Sequence, residues 1–331
     1  MAKASKILMS NGTVPATPAA GYSGLYFDSA ATVSPGFKAI DSAGGTYQFM
    51  GPSTNDFRLT GVSNTPIMTA DSSTLATMYL TPFKGNYISL YNGTSWDLIE
   101  SAQVSLAISG RTADLPFDIF AYNVAGVVTL EFLDWTNSTT RATALVRQDG
   151  VWCKTGSLTR RYLGSCRPRI STQFAWIRNQ SDLTIKFDLF NADNRVSQSF
   201  FLGAAATSWS YASATIRQAQ GSALYQVNVM VGLQEEAMNI GQIVTSSAAS
   251  NTYDRYTGIG YDSTTAFSGT RSTSMAGVAN QFVTQQGRFC NRPGIGTHYY
   301  AWLESVTNTI TFYGDNAGLL LQSGMTGTWT C

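Results

Sequence analysis

The sequence predicts a mainly β fold, an antiparallel β-sandwich of jelly-roll kind, and three observations predict it. Charged residues are only 12% of the 331, while Gly (30), Tyr (16) and Phe (17) are plentiful, a balance that favours strands and tight turns over amphipathic helices. Several short runs alternate apolar and polar residues with a period of two, as half-buried strands do. Turn dipeptides separate those runs, and no repeat of roughly 20 to 50 residues points to a solenoid or propeller.

Residues 1–20 mix small residues with Pro15 and Pro18, which deny a helix and predict an extended arm. Residues 21–75 form the next unit. Short apolar pieces such as Leu25–Tyr26–Phe27 and Tyr47 with Phe49, parted by Gly, Ser and Asp, predict a small β-meander. The turn-rich stretch 51–71 reads as its linker to a large β-sandwich domain over residues 76–331.

Within that domain Asn92-Gly93 lies between "YISLY" and "WDLIE" and predicts a hairpin. "GVVTLEFLDW" sets Val128, Leu130 and Phe132 against Thr129 and Glu131. "DLTIKFDLF" places Leu183, Ile185, Phe187 and Leu189 on one face, with Thr184, Lys186 and Asp188 on the other. "YQVNVMV" repeats the pattern with Tyr225, Val227, Val229 and Val231. Only residues 233–244 and 276–286 have a composition suited to short helices.

The run "LTRRYLGSCRPR" packs four arginines into residues 158–169 of a chain whose formal net charge is +1. That balance excludes a dedicated nucleic-acid binder. Asp149-Gly150 predicts a hairpin turn just before the run, which then reads as a strand, so Arg160 and Arg161 point to opposite faces and cannot form one flat phosphate cradle. The arginines are expected to pair with carboxylates or carbonyls, inside a subunit or across an interface. Arg160, Arg161, Tyr162, Arg167 and Arg169 are the interface candidates, since interfaces favour Arg and aromatic residues.

Catalytic signatures are sparse. His298 is the one histidine, no GxSxG elbow accompanies it, and the GIG triplets at 258–260 and 294–296 lack the remaining glycine of a dinucleotide fingerprint. Glu131 with Asp134 and Glu235 with Glu236 are weak candidate carboxylate pairs for glycoside hydrolysis. Cys153, Cys166, Cys290 and Cys331 show no CxxC spacing and read as buried or idle thiols. No catalytic residue, metal ligand or cofactor is therefore assigned. No apolar run suits a membrane span or a secretory leader. The sequons at Asn11, Asn92, Asn137 and Asn179 read as polar turns.

Several segments together resemble a recurrent type of tailed-bacteriophage virion protein. "AGYSGLYFDSA" followed by "FKAIDSAGG" is similar to the strand-turn unit near the start of many fibre and appendage proteins. "NYISLYNGTSWDLIESAQVSLAISG", "PFDIFAYNVAGVVTLEFLDWTN", "TRATALVRQDGVWCKTGSLTRRYLGS" and "HYYAWLESVTNTITFYGDNAGLLLQSGMTG" resemble the body of such proteins in the same order. The resemblance implies a structural virion component, commonly a homotrimer, assembled in the host cytoplasm, and it carries no catalytic residue over. An appendage of tail-fibre or head-fibre type, attached to other virion proteins through residues 1–20, is the expected role. A capsid-decoration protein is the first alternative. The second is a host-glycan adhesin, for which Trp96, Trp135, Trp152, Trp209 and Trp302 are the candidate aromatic contacts, or a capsule depolymerase, which needs a carboxylate-lined groove.

Overall fold

A computed structural model describes residues 16–20, 23–28, 36–40, 42–44, 46–48, 51–181, 184–314 and 323–331. Most of the arm expected over residues 1–20 lies outside the described residues. Among them the chain is almost entirely strand and turn, with a single three-residue 3-10 turn at Ala219–Gly221 and no α-helix. The mainly-β, antiparallel sandwich is the observed fold.

The meander forms as a three-stranded antiparallel sheet in sequence order, Gly24–Asp28, Gly36–Ile40 and Thr46–Gln48. Its expected linker does not. Phe57–Thr60 pairs with Thr77–Pro82, which pairs in turn with Val104–Ala107, and Ser72–Leu75 pairs with Phe174–Ile177. Phe57, Leu59, Met68 and Leu75 are core residues. The Phe57–Thr60 strand is buried on both faces, so it lacks the alternation that marks a half-exposed strand. The body therefore begins near residue 51 rather than 76.

Turn chemistry builds the first large sheet. Asp149 and Gly150, at φ 49° and 88°, close a two-residue turn between Leu145–Gln148 and Val151–Lys154. Positive φ at both central positions gives the twist that hairpin strands need, which is why Gly occupies the second. Ala125 and Gly126 do the same between Phe117–Val124 and Val127–Asp134. Ser157–Cys166 lies between these two hairpins, hydrogen-bonded to Phe117–Val124 on one edge and to Val151–Lys154 on the other. The Asn92 turn is also a hairpin: the Asn92 carboxamide oxygen accepts from the Thr94 and Ser95 amides at 2.9 Å, between Tyr87–Tyr91 and Trp96–Glu100.

Two further sheets stack face to face. One is centred on Gly296–Val306, flanked by Gln226–Val231 and Arg255–Tyr261. The other is centred on Met238–Ala248, which pairs with Val283–Asn291 on one edge and with Gly324–Thr330 and Ile310–Tyr313 on the other. These last assignments correct the expected helices. Met238, Ile240, Gln242, Val244, Ser246 and Ala248 alternate inward, and two strand edges to pair with outweigh the helix preference of Gln, Glu, Ala and Met. Between the sheets Trp302 packs edge-on against Trp209 and Tyr225, and Phe187 against Trp176 and Phe200.

The "DLTIKFDLF" run splits at Asp188. Ile185–Phe187 belongs to the Gly296–Val306 sheet, while Leu189–Asn191 pairs with Ser157–Cys166 in the first. Asp188 was expected on the solvent face; it is instead buried, accepting from Arg169 Nε at 2.7 Å and from the Ala175 amide at 2.9 Å. A change of sheet mid-run breaks the alternation. The paired Arg169 meets the cost of burying the carboxylate there.

Candidate functional site

The Leu145–Gln148/Val151–Lys154 hairpin sets Arg147 directly opposite Trp152. The Arg147 guanidinium carbon lies 4.1 Å from the Trp152 ring centre, a cation–π contact. Trp152 borders two hollows. A cavity of about 170 Å³ is lined also by Arg147, Ser53, Arg161 and Asp193. An open cleft of about 630 Å³ is lined also by Leu145, Leu233, Ile295, Gln234 and Glu235. Leu233, Gln234 and Glu235 directly follow the Gln226–Val231 strand. The cleft thus lies where the first sheet meets the Gly296–Val306 sheet.

Buried polar bonds fix its walls. Arg141 donates from Nε to Asp118 at 2.9 Å and from Nη2 to Tyr162 Oη at 3.1 Å and to the Gly232 carbonyl, while its guanidinium stacks 4.7 Å from the Trp135 ring centre. Tyr162 Oη and Ser165 Oγ are 2.6 Å apart, and Ser165 donates to Asp118 at 2.6 Å. Gly232 is required there, since a Cβ on it would lie 2.2 Å from Tyr162 Oη and 2.5 Å from Phe190. Glu235 is held by Arg195 at 2.7 Å and by Arg147 at 3.5 Å.

The five Trp candidates separate clearly. Trp135 and Trp302 are buried. The Trp209 indole donates to Glu304 at 2.8 Å, and burial raises the Glu304 carboxyl above its ordinary value against the pull of Trp209 and Arg217. Trp96 donates to Asp149 at 2.9 Å and packs on Tyr91. Trp152 alone of the five lines the large cleft.

The arginine run is engaged inside the chain. Arg160 donates to Glu131 at 3.1 Å and stacks 3.9 Å from the Tyr122 ring centre. Arg161, its side chain 1% exposed, donates to the carbonyls of Pro52, Ser53, Thr54 and Ser89 and to Asp193 at 3.0 Å. Arg167 pairs with Asp114, and Arg169 with Asp188. Arg161 and Tyr162 are therefore corrected as interface candidates: both are buried and offer no surface to a second copy. The expected alternation of Arg160 and Arg161 holds, but the inward face is core.

The candidate carboxylate pairs are likewise engaged. Glu131 is held by Lys154 as well as Arg160, Asp134 by Arg111, and Glu236 by Arg195. His298 Nδ1 lies 2.7 Å from Asp262 and 2.9 Å from Tyr261 Oη, and Nε2 lies 3.0 Å from the Gly294 carbonyl. Both ring nitrogens have partners, so neither is open to activate a nucleophile in this geometry. Among the described residues no group of three His, Cys, Asp or Glu is placed to hold a metal ion. All four cysteines are free; Cys290 is exposed and the others buried. Burial pushes the Cys153 thiol up to about 11 and the Cys331 thiol up to about 12.

Sequence reasoning found Trp152 and Glu235 but not Arg141, Leu233, Gln234 or Ile295, which reach the cleft from separate elements. No protein-family model and no curated protein matches the chain. A comparison of structures aligns it with an exo-β-1,3-galactanase from Phanerochaete chrysosporium at 12% identity, over 93% of this chain and 81% of that one, with a TM-score of 0.16. A likeness at that level carries no argument.

Proposed function

We propose that this chain is a non-enzymatic structural component of a tailed-bacteriophage particle, a surface appendage of tail-fibre or head-fibre type, with capsid decoration as the alternative station. The observation that supports it is the way the chain's sparse charges are used. Both carboxylate pairs the sequence offers for hydrolysis are held by cations, and the arginine run binds strands and loops of the body to one another. Such cross-linking of an all-β body suits a part that must hold its shape.

In this reading the residues ahead of the three-stranded sheet attach the protein to other virion proteins, and copies associate as a homotrimer through surfaces other than Arg161 and Tyr162. Deleting residues 2–18 should leave a folded protein that no longer enters particles, and sedimentation of the full chain should give a trimer. Normal incorporation of the truncated chain, or a monomeric full chain, would overturn the corresponding half of the proposal.

A further inference from the structure

We infer that the interior between the two stacked sheets holds a small monovalent inorganic anion, of the size of chloride, as the counter-ion of Arg255. This goes beyond the particle role and does not depend on it.

Arg255 opens the Arg255–Tyr261 strand and is 0% exposed. Its side chain crosses to the facing sheet, where Nη1 donates to the Ser246 carbonyl at 2.8 Å and lies 3.2 Å from Ser246 Oγ. Nε and Nη2 have no hydrogen-bond partner, and among the described residues no carboxylate forms an ion pair with the guanidinium. Arginines elsewhere in the interior are treated differently. Arg141 has Asp118, Arg161 has Asp193 and several carbonyls, and Arg58 lies over the Phe83 ring and donates to the Cys331 carbonyl.

Burial lowers the Arg255 pKa with no neighbouring charge to oppose it, yet a guanidinium keeps its proton in a protein. The charge has to be balanced in place, since an uncompensated buried ion is strongly destabilising.

The free donors suit an anion. Nε and Nη2 form one edge of the planar guanidinium, the fork that grips carboxylates and phosphates. Arg167 uses that same edge on a single anionic atom, with Nε at 3.0 Å and Nη2 at 2.7 Å from Asp114 Oδ1. A further donor stands beside the edge of Arg255. Ser274 is directly opposite Arg255 in the sheet, so the two side chains share a face, and the buried Ser274 Oγ has no partner either. A hydroxyl can turn to donate. Gln285 spends its Nε2 on the Arg255 and Ser272 carbonyls and leaves Oε1 unpartnered. A water between Oε1 and Arg255 is the competing occupant, but a neutral molecule leaves the charge unbalanced.

Room limits the size. The Arg255–Tyr261 and Val283–Asn291 strands close to backbone contact nearby, where a Cβ on Gly287 would lie 3.0 Å from Gly258 Cα and 3.1 Å from Gln242 Nε2. Sulfate or phosphate is bulkier and brings more charge than one arginine balances.

The test has two arms. Crystals of the full chain grown in sodium bromide should show an anomalous bromide peak at hydrogen-bonding distance from Arg255 Nε and Nη2. Urea unfolding at one ionic strength, with gluconate replacing chloride, reads the linkage: for a dissociation constant of about 1 mM, raising chloride from about 1 to about 100 mM should raise the folded-to-unfolded ratio about 50-fold. Arg255→Met, which leaves no charge to balance, should abolish that dependence, and Ser274→Ala should weaken it. If Arg255→Met does not fold, the bromide peak and Ser274→Ala carry the test. Bromide at surface sites only, a ratio that changes less than about threefold, or an equal chloride effect in Arg255→Met would each overturn the inference.

Discussion

Arg160 and Arg161 are adjacent, identical and on one strand, yet replacing each with Ala should have very different effects. Arg161 is buried and gathers five contacts, three from Nη1 at 3.1, 2.8 and 2.9 Å and two from Nη2 at 3.3 and 3.0 Å. A hydrogen bond to a charged group is worth about 1.5–3 kcal/mol, but five contacts on one planar group do not add. Two features reduce the loss: the Thr54 carbonyl keeps its bond from the Ser89 amide at 2.9 Å, and the small cavity beside Ser53 and Asp193 can admit water. Asp193 is partly exposed and stays solvated when the arginine goes. Removing one partner of a buried pair costs about 3–5 kcal/mol, and these reliefs place Arg161→Ala near about 3 kcal/mol. In Arg160→Ala the part-exposed Glu131 keeps Lys154, so the loss is one surface ion pair and one cation–π contact, about 1 kcal/mol together. Urea unfolding of the two variants beside the parent reads the difference. At about 1.4 °C per kcal/mol for a chain of this size, the melting temperatures should fall by about 4 °C and about 1.4 °C. Losses equal within error, or a loss under about 1 kcal/mol in Arg161→Ala, would refute the argument that the inward face of this strand is core.

Gly232→Ala should destabilise the fold by about 3 kcal/mol, because its Cβ would displace the Tyr162 hydroxyl from its bonds to Ser165 and Arg141; calorimetry showing a change under about 1 kcal/mol would contradict it. Native protein should react with a thiol reagent near neutral pH at Cys290 alone, and unfolded protein at all four cysteines; two or more fast thiols in the native state would contradict the burial. Stability should fall as pH rises from about 8.5, the ordinary thiol value, toward 11–12. Cys153 and Cys331 are acids whose folded pKa lies above the unfolded one, so over that window the native state binds more protons than the unfolded chain, and each group contributes a slope of up to about −1.4 kcal/mol per pH unit. Urea midpoints should decline across the window and Cys153→Ala should decline less steeply; a flat or rising profile would exclude the mechanism.

Local chemistry made much of the fold legible. The turns at Asn92-Gly93 and Asp149-Gly150 follow from residues that tolerate or demand positive φ, and Gln226–Val231 from its own alternation. Residues 233–244 misled because Gln, Glu, Ala and Met favour helices in isolation, whereas the two neighbours that make Met238–Ala248 a central strand lie at Val283–Asn291 and Gly324–Thr330, far along the chain. Asp188 misled for a related reason, since a period-two pattern assumes that a run stays in one sheet. The cleft was less legible still. Trp152 stood out as an aromatic residue and its hairpin sets Arg147 opposite it, but Gln234 and Ile295 become its neighbours only when three separate segments converge. Arg161 shows both outcomes: its inward direction follows from strand geometry, while its carbonyl partners at Pro52–Thr54 lie more than 100 residues upstream.

Those partners also set how the molecule would carry load. Pro52–Thr54 is the first stretch of the body after the small N-terminal sheet, and a single guanidinium grips all three of its carbonyls. Tension applied to the N-terminal segment reaches several bonds in parallel at that clamp, instead of peeling a strand open one pair at a time. The strain passes into Ser157–Cys166, which is hydrogen-bonded along both edges, and then into the neighbouring hairpins. Through Leu189–Asn191 it continues past Asp188 to Ile185–Phe187 in the next sheet. The start of the body is thus held at its interior, and a pull on Pro52–Thr54 would be shared between two sheets.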